Sequence, residues 1–190
     1  MVIKSDEVTN REELHKLINR LQLKVGAEIG TQQGLYAKYL LENTDLEMLY
    51  LIDAWQYIEG YRDIANVQNP QHDKNLQETI KNVAPFPNRY NIIKKFSVEA
   101  AKEFEDLFLD FVYIDADHSY KGTMDDLEAW YSKVKVGGVF AGHDFLDGEN
   151  ICGSNFGVKR AVTEFFKDTN HDLFVTAGPW PTWFMEKKEG

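Results

Sequence analysis

Cysteine is nearly absent: Cys152 is the only one in 190 residues. That excludes an internal disulfide framework and a cysteine-rich zinc cluster. Long apolar runs are missing too. The N-terminus, Met-Val-Ile-Lys-Ser-Asp-Glu, lacks a signal-peptide stretch, and no later run approaches the roughly 18 apolar residues of a membrane span. Basic charge is scarce, with 21 Lys and Arg against 31 Asp and Glu, a formal net charge of −10. Phosphate contacts dominate nucleic-acid affinity, so this balance argues against a nucleic-acid partner and equally against an anionic membrane surface. Internal repeats and low-complexity tracts are also lacking. What is present is core-forming material, 43% hydrophobic and 13% aromatic residues, well above disordered composition. The length suits one domain over residues 1–190, expected in the cytoplasm.

Periodicity supplies the order of elements. Asn10 and Glu13 have capping-box spacing ahead of Leu14, Leu17, Ile18 and Leu21, which predicts an amphipathic helix over 10–23. Apolar strands are predicted at 24–29, 47–52, 90–96, 107–114 and 139–141, with helices over 34–41, 98–104 and around Leu127 and Val162. Gly137-Gly138 reads as a turn, and 172–176 with 183–186 as a closing antiparallel pair. Strands alternating with helices imply an α/β fold, a doubly wound and mostly parallel sheet covered on both faces. Such sheets bind ligands beyond the carboxyl ends of their strands, at the switch point. Segment 55–88 is polar, with one helical patch at Leu76, Ile80 and Val83, and Asp147 to Gly157 reads as a Gly-rich loop. The first is too long for a plain connection, which hints at function.

The polar residues worth attention follow predicted strands. Glu28-Ile-Gly30-Thr31-Gln-Gln-Gly34 forms the first strand-to-helix turn. Its Gly-x-x-x-Gly spacing differs from the dinucleotide fingerprint Gly-x-Gly-x-x-Gly, and alone it reads equally well as structural. Glu28, ending a buried strand, suits a ligand carrying positive charge. Asp53 lies 23 residues after Gly30, a separation typical of an acid that accepts hydrogen bonds from ribose hydroxyls; a helix cap is the bland alternative. Asp115-Ala-Asp117-His118 and Gly142-His143-Asp144 follow neighbouring strands. Together they could form a metal site or an acid–base site.

These stretches, with Asp110 to Tyr120 and Val136 to Phe145, resemble the class I S-adenosylmethionine-dependent methyltransferases. The similarity is greatest to the methyltransferase 24 family and more distant to catechol-type and macrolide-sugar O-methyltransferases. It runs from about Val25 to Phe166. The resemblance implies a seven-stranded Rossmann-like sheet with an antiparallel last strand. It implies that Glu28, Gly30, Thr31 and Gly34 hold the methionine part of the cofactor, that Asp53 binds the ribose diol and that Ser97 lies near the adenine. Asp115 would face the methyl group and, with His143 and Asp144, hold a divalent metal ion. His118 would be the general base. The family's acidic pair, usually Asp-Asp, Asp-Asn or Glu-Asp, begins with a carboxylate where this chain has His143, and imidazole suits magnesium poorly.

The expected activity is methylation of a hydroxyl on a small-molecule acceptor such as a sugar, polyol or phenol, with segments 55–88 and 145–157 on the acceptor side. A homo-oligomer is compatible with all of this. A free histidine titrates near pH 6.5, so His118 is expected to be largely neutral at pH 7. Two alternatives remain open at this level, a non-catalytic adenosylmethionine-binding protein and a metal-dependent hydrolase using the His/Asp cluster. A nicotinamide oxidoreductase is disfavoured by the missing third glycine.

Overall fold

Short apolar strands and amphipathic helices alternate as the periodicity predicts. The structure, a computed structural model, describes residues 2–4 and 7–189. In chain order the elements are β1 (Val2–Lys4), α1 (Leu14–Arg20), β2 (Val25–Ile29), α2 (Leu35–Asn43), β3 (Met48–Asp53), α3 (Asn69–Val83), β4 (Tyr90–Lys94) and α4 (Ser97–Ala101). They continue with β5 (Leu109–Ile114), α5 (Tyr120–Tyr131), β6 (Val134–Gly142), β7 (Asp147–Ile151), β8 (Ser154–Gly157), α6 (Val158–Phe165), β9 (Leu173–Val175) and β10 (Trp183–Glu186).

One sheet has the order β1-β9-β10-β6-β5-β2-β3-β4. The expected seven strands are all there, and the last in sequence, β10, runs antiparallel to both β6 and β9. An eighth, β1, adds in parallel to β9 at the edge. Three residues pairing with a strand about 170 positions away leave no local pattern to read. The sheet starts at β2 and proceeds outward in both directions, so its switch point lies between β2 and β5.

Both faces are covered. Ala27, Ile29, Val112, Ile114 and Phe140 pack under α5 and α6 with Trp130 and Val162. Phe111, Tyr113, Leu49 and Leu51 pack on the other face under α1 and α2. β5 is thus buried on two sides, which is why it reads as an unbroken apolar run. Each such side chain contributes roughly 1.5–3 kcal/mol of burial. The helix expected over 10–23 is regular only over Leu14–Arg20. Its entry is still capped: Asn10 Oδ1 accepts from the Glu13 amide, and the Glu13 carboxylate reaches back to the Thr9 amide. Gly137 and Gly138 lie inside β6 as an irregularity in its pairing with β5, not as a turn before it. Residues 147–157, expected as a Gly-rich loop, form the antiparallel hairpin β7–β8, turning at Cys152 and Gly153 in left-handed conformation. Among the described residues no helix is long and apolar enough to cross a membrane.

Candidate active site

The carboxyl ends of β2, β3, β5 and β6 are laced together by main-chain bonds. The amides of Gly30, Asp115 and His143 donate to the carbonyls of Ile52, Ile29 and Ile114 at 2.8, 2.7 and 2.9 Å. Gly30 is required by this closeness. Its φ is +91°, and a Cβ there would fall 1.9 Å from the Asp115 carbonyl oxygen. Gly34, with φ +70°, caps α2 where a Cβ would lie 3.0 Å from Thr79. Thr31 is buried and donates its hydroxyl to the Glu28 carbonyl at 3.4 Å. The Glu28 side chain is buried too, with Oε2 lacking a hydrogen-bond partner. Burial pushes its carboxyl up to about 8.

The turn opens onto a cleft of about 440 Å³ lined by Gly30, Asp53, Ser97, Asp115, His118 and Asp126 among others. Asp53 lines the cleft and accepts from the amides of Gln32 at 2.9 Å and Trp55 at 2.7 Å; it ties two loops and caps no helix. Burial raises its pKa against those two bonds. A carboxylate has about four lone-pair sites, which leaves acceptors free for a ligand. Ser97 accepts from the Trp130 indole at 2.8 Å and donates to Asp126. Asp126 is buried, and desolvation lifts its carboxyl to about 7.

His118 also lines this cleft. Its Nδ1 is 2.9 Å from Asp63 Oδ2, and its Nε2 lies 3.3 Å from Asp144 Oδ2 and 3.5 Å from Asp115 Oδ1. The ring stacks on Phe156 at 4.8 Å, and its carbonyl accepts from the Gly157 amide at 2.8 Å. The β7–β8 hairpin therefore backs the histidine. Burial disfavours the charged ring, but Asp115 and Asp63 outweigh it and raise its pKa to about 10. The expectation of a largely neutral His118 at pH 7 is thus corrected: three carboxylates around one ring hold it as an imidazolium. In turn, burial of Asp115 is outweighed by His143, His118 and Arg11, which keep it below its ordinary value.

Among the described residues, the donor atoms that converge as a metal could use them belong to Asp115, His118 and Asp144, all within 4.8 Å of one another. The expected set had His143 in place of His118. His143 instead turns Nδ1 to its chain neighbour, 2.6 Å from Asp144 Oδ1, with its ring edge-on to Tyr113. Two oxygens and a nitrogen, with the other histidine nitrogen on a carboxylate, suit a divalent ion tolerant of mixed ligands.

Several neighbours escaped the sequence reading. Tyr61 and Asp63 come from the β3–α3 connection; the Tyr61 hydroxyl accepts from the His118 amide, and the Asp63 side chain is only 2% exposed. The signal there was the segment's excess length. Arg11 reaches Asp115 from the N-terminal segment and gave none. Asp126 shares the helical face of Leu127 and Trp130, so an acid at a core-facing position was the readable clue.

The family model described as a methyltransferase domain, of the methyltransferase 24 group, matches residues 27–145. No curated protein sequence matches the chain. Among solved structures, an O-methyltransferase from Bacillus cereus in complex with SAH is 15% identical, with a TM-score of 0.66 over 96% of this chain and 84% of that one. An rRNA methylase from Streptococcus thermophilus is 12% identical, with a TM-score of 0.65 over 93% and 95%. At these identities the likeness is one of fold. The family match spans more than half of the residues and contains both the glycine turn and the Asp115–Asp144 cluster, and by it the chain belongs to the methyltransferase-domain family of class I S-adenosylmethionine-dependent methyltransferases.

Proposed function

We propose that the protein methylates a hydroxyl of a small-molecule acceptor, such as a sugar, polyol or phenol, beside His118. The observation that carries this reading is the convergence of His118, Asp63, Asp115 and Asp144 beside a cleft that Asp53, Ser97 and Asp126 also line. The residues present fit the cofactor. Asp53 offers acceptors for a ribose diol, Ser97 and Asp126 offer polar atoms near a base, and the Gly30–Gly34 turn leaves room for close approach. The cleft volume falls within the range of small-ligand pockets. When bound, S-adenosylmethionine supplies an electrophilic methyl group on a cationic sulfur.

The chain's own residues do the rest by position and proton handling. Asp115 presents a carboxylate to a cationic centre. Asp63 holds Nδ1 of His118, which fixes the ring with Nε2 toward Asp115 and Asp144. Once the ring has given its Nε2 proton to solvent, which its raised pKa defers to high pH, Nε2 is free to take the proton of an acceptor hydroxyl. A divalent ion, if held by Asp115, His118 and Asp144, would acidify that hydroxyl instead. The β3–α3 connection lines the cleft, and the β7–β8 hairpin supports its His118 side, with Phe156 stacked on the imidazole and Trp180 6.0 Å from Phe156.

The test is release of S-adenosylhomocysteine from S-adenosylmethionine over a panel of sugars, polyols, phenols and RNA. Turnover with a hydroxyl compound is expected. Turnover with RNA alone, or cofactor binding without turnover on every member, would overturn the assignment.

A further inference from the structure

Of the four tryptophans, Trp55, Trp130 and Trp183 are at most 2% exposed, whereas Trp180 is 42% exposed. An exposed aromatic side chain is ordinary in itself, since much of any folded surface is apolar. Trp180 differs in how it is held. It stands between Pro179 and Pro181 in the loop joining β9 to β10. Proline fixes its own φ, and a residue before proline is confined to extended backbone. The neck of the loop is closed by two bonds of 2.9 Å, from the Thr176 amide to the Thr182 carbonyl and from the Thr182 amide to Thr176 Oγ1. A third, from the Phe145 amide to the Pro181 carbonyl at 2.9 Å, ties it to the chain just beyond β6.

The register explains why this loop reaches the candidate active site. Trp183 opens β10 opposite Gly142, so the preceding residues arrive where β6 ends, beside His143 and Asp144. The Trp180 ring lies 6.0 Å from Phe156, and Phe156 in turn stacks on the His118 imidazole at 4.8 Å. A rigid, half-exposed indole is thus offered one ring beyond the proposed base. The hairpin carrying Phe156 exposes Asp147, Glu149, Asn150 and Asn155 to solvent. An aryl ligand is best served by an enclosed, mostly apolar pocket. An open aromatic platform bordered by hydrogen-bonding side chains suits a ring that is apolar on its faces and hydroxylated at its rim. A pyranose has that chemistry. The net charge of −10 disfavours an anionic one.

We propose that Trp180 is an outer sugar subsite: the acceptor is a neutral glycoside, with a hydroxyl of one sugar at His118 and the adjoining sugar stacked on the Trp180 indole. This rests on the methyltransferase reading above and narrows its acceptor to a glycoside of at least two rings. Because the prolines and the closed neck hold the indole in place, little ordering cost attends its use.

The subsite can be read without turnover. With 5-fluorotryptophan incorporated, the indoles give separate fluorine NMR lines, and Trp180→Phe assigns the exposed one. The probes are glucose, mannose and galactose, their disaccharides, and 4-phenylphenol as a two-ring aryl compound, all added to protein saturated with S-adenosylhomocysteine. At least one disaccharide should shift the Trp180 line and bind about 3- to 10-fold more tightly than its monosaccharide, the range for one ring stacked on an aromatic face. Trp180→Ala should abolish that preference, and Trp180→Phe should keep part of it. A Trp180 line unmoved by every saccharide, equal binding of mono- and disaccharides, or preference for 4-phenylphenol overturns the subsite and leaves the methyltransferase reading intact. Failure of the protein to bind S-adenosylhomocysteine, checked first by calorimetry, overturns both.

Discussion

As the base of the proposed reaction, His118 would have to hold a proton tightly enough to pair with three carboxylates and loosely enough to accept another from a substrate. Its surroundings raise its pKa to about 10, so the metal-free enzyme should show a rate that climbs with pH above neutrality, not near the 6.5 of a free histidine. His118→Ala should lower kcat by about two to four orders of magnitude, leave cofactor affinity nearly unchanged and erase that limb. A pH–rate profile of the variant that keeps the limb would assign the limb to a group other than His118. Glu28 illustrates the opposite cost. Its folded pKa, about 8, lies above the ordinary 4.5, so the folded chain retains a proton that the unfolded chain gives up between those values. Stability is therefore present below about pH 4.5 and lost as pH rises toward 8. Glu28→Gln removes this slope. Denaturant melts at pH 5 and pH 8 should show the variant gaining on the wild type with pH, by on the order of a few kcal/mol. A difference independent of pH would mean that Glu28 is ionised in the folded protein.

Elements differ in how openly the sequence announced them. β5 was legible because both its faces are buried, and the strand-end acids Asp53 and Asp115 fell where a doubly wound sheet puts its ligands. The hairpin β7–β8 was not, since its strands alternate no apolar face and its register shifts between Gly148 and Ile151. The Asp63–His118 pair was invisible because 55 residues separate the partners and only the fold brings the β3–α3 connection back over β5. Two glycines with similar angles, Gly30 at the β2–α2 turn and Gly153 at the β7–β8 turn, separate conformational from steric demand. Gly30→Ala must accept φ +91° and a clash with the Asp115 carbonyl, whereas Gly153→Ala meets only φ +85° with nothing within 4 Å. Urea melts should show about 1–2 kcal/mol lost at Gly153. They should show about 3 kcal/mol or more at Gly30, together with loss of cofactor binding. Equal costs would mean that the strand ends have slack to separate.

At the scale of the whole molecule, the acidic surface and the acidic cleft work in the same direction. A net charge of −10 repels polyanions, while carboxylates at four strand ends favour a cationic ligand and a divalent ion alike. If such an ion is held by Asp115, His118 and Asp144, excess chelator should abolish methyl transfer, and a nitrogen-tolerant ion should restore it better than magnesium. Activity retained in chelator, with no metal by elemental analysis, would leave His118 alone with the proton.

Asp63 has one consequence for timing. Its carboxylate ties the β3–α3 connection, which lines the cleft, to His118 and, through Ser154, to the hairpin. On the proposed reading, release of the spent cofactor would require this connection to open. Turnover should then be paced by departure of product, not by methyl transfer, as in enzymes whose loops close over their ligands. Raising solvent viscosity should slow steady-state turnover while a single turnover stays constant, and Asp63→Ala should lose the viscosity dependence. A single turnover as slow as the steady state would place the bottleneck in the chemistry.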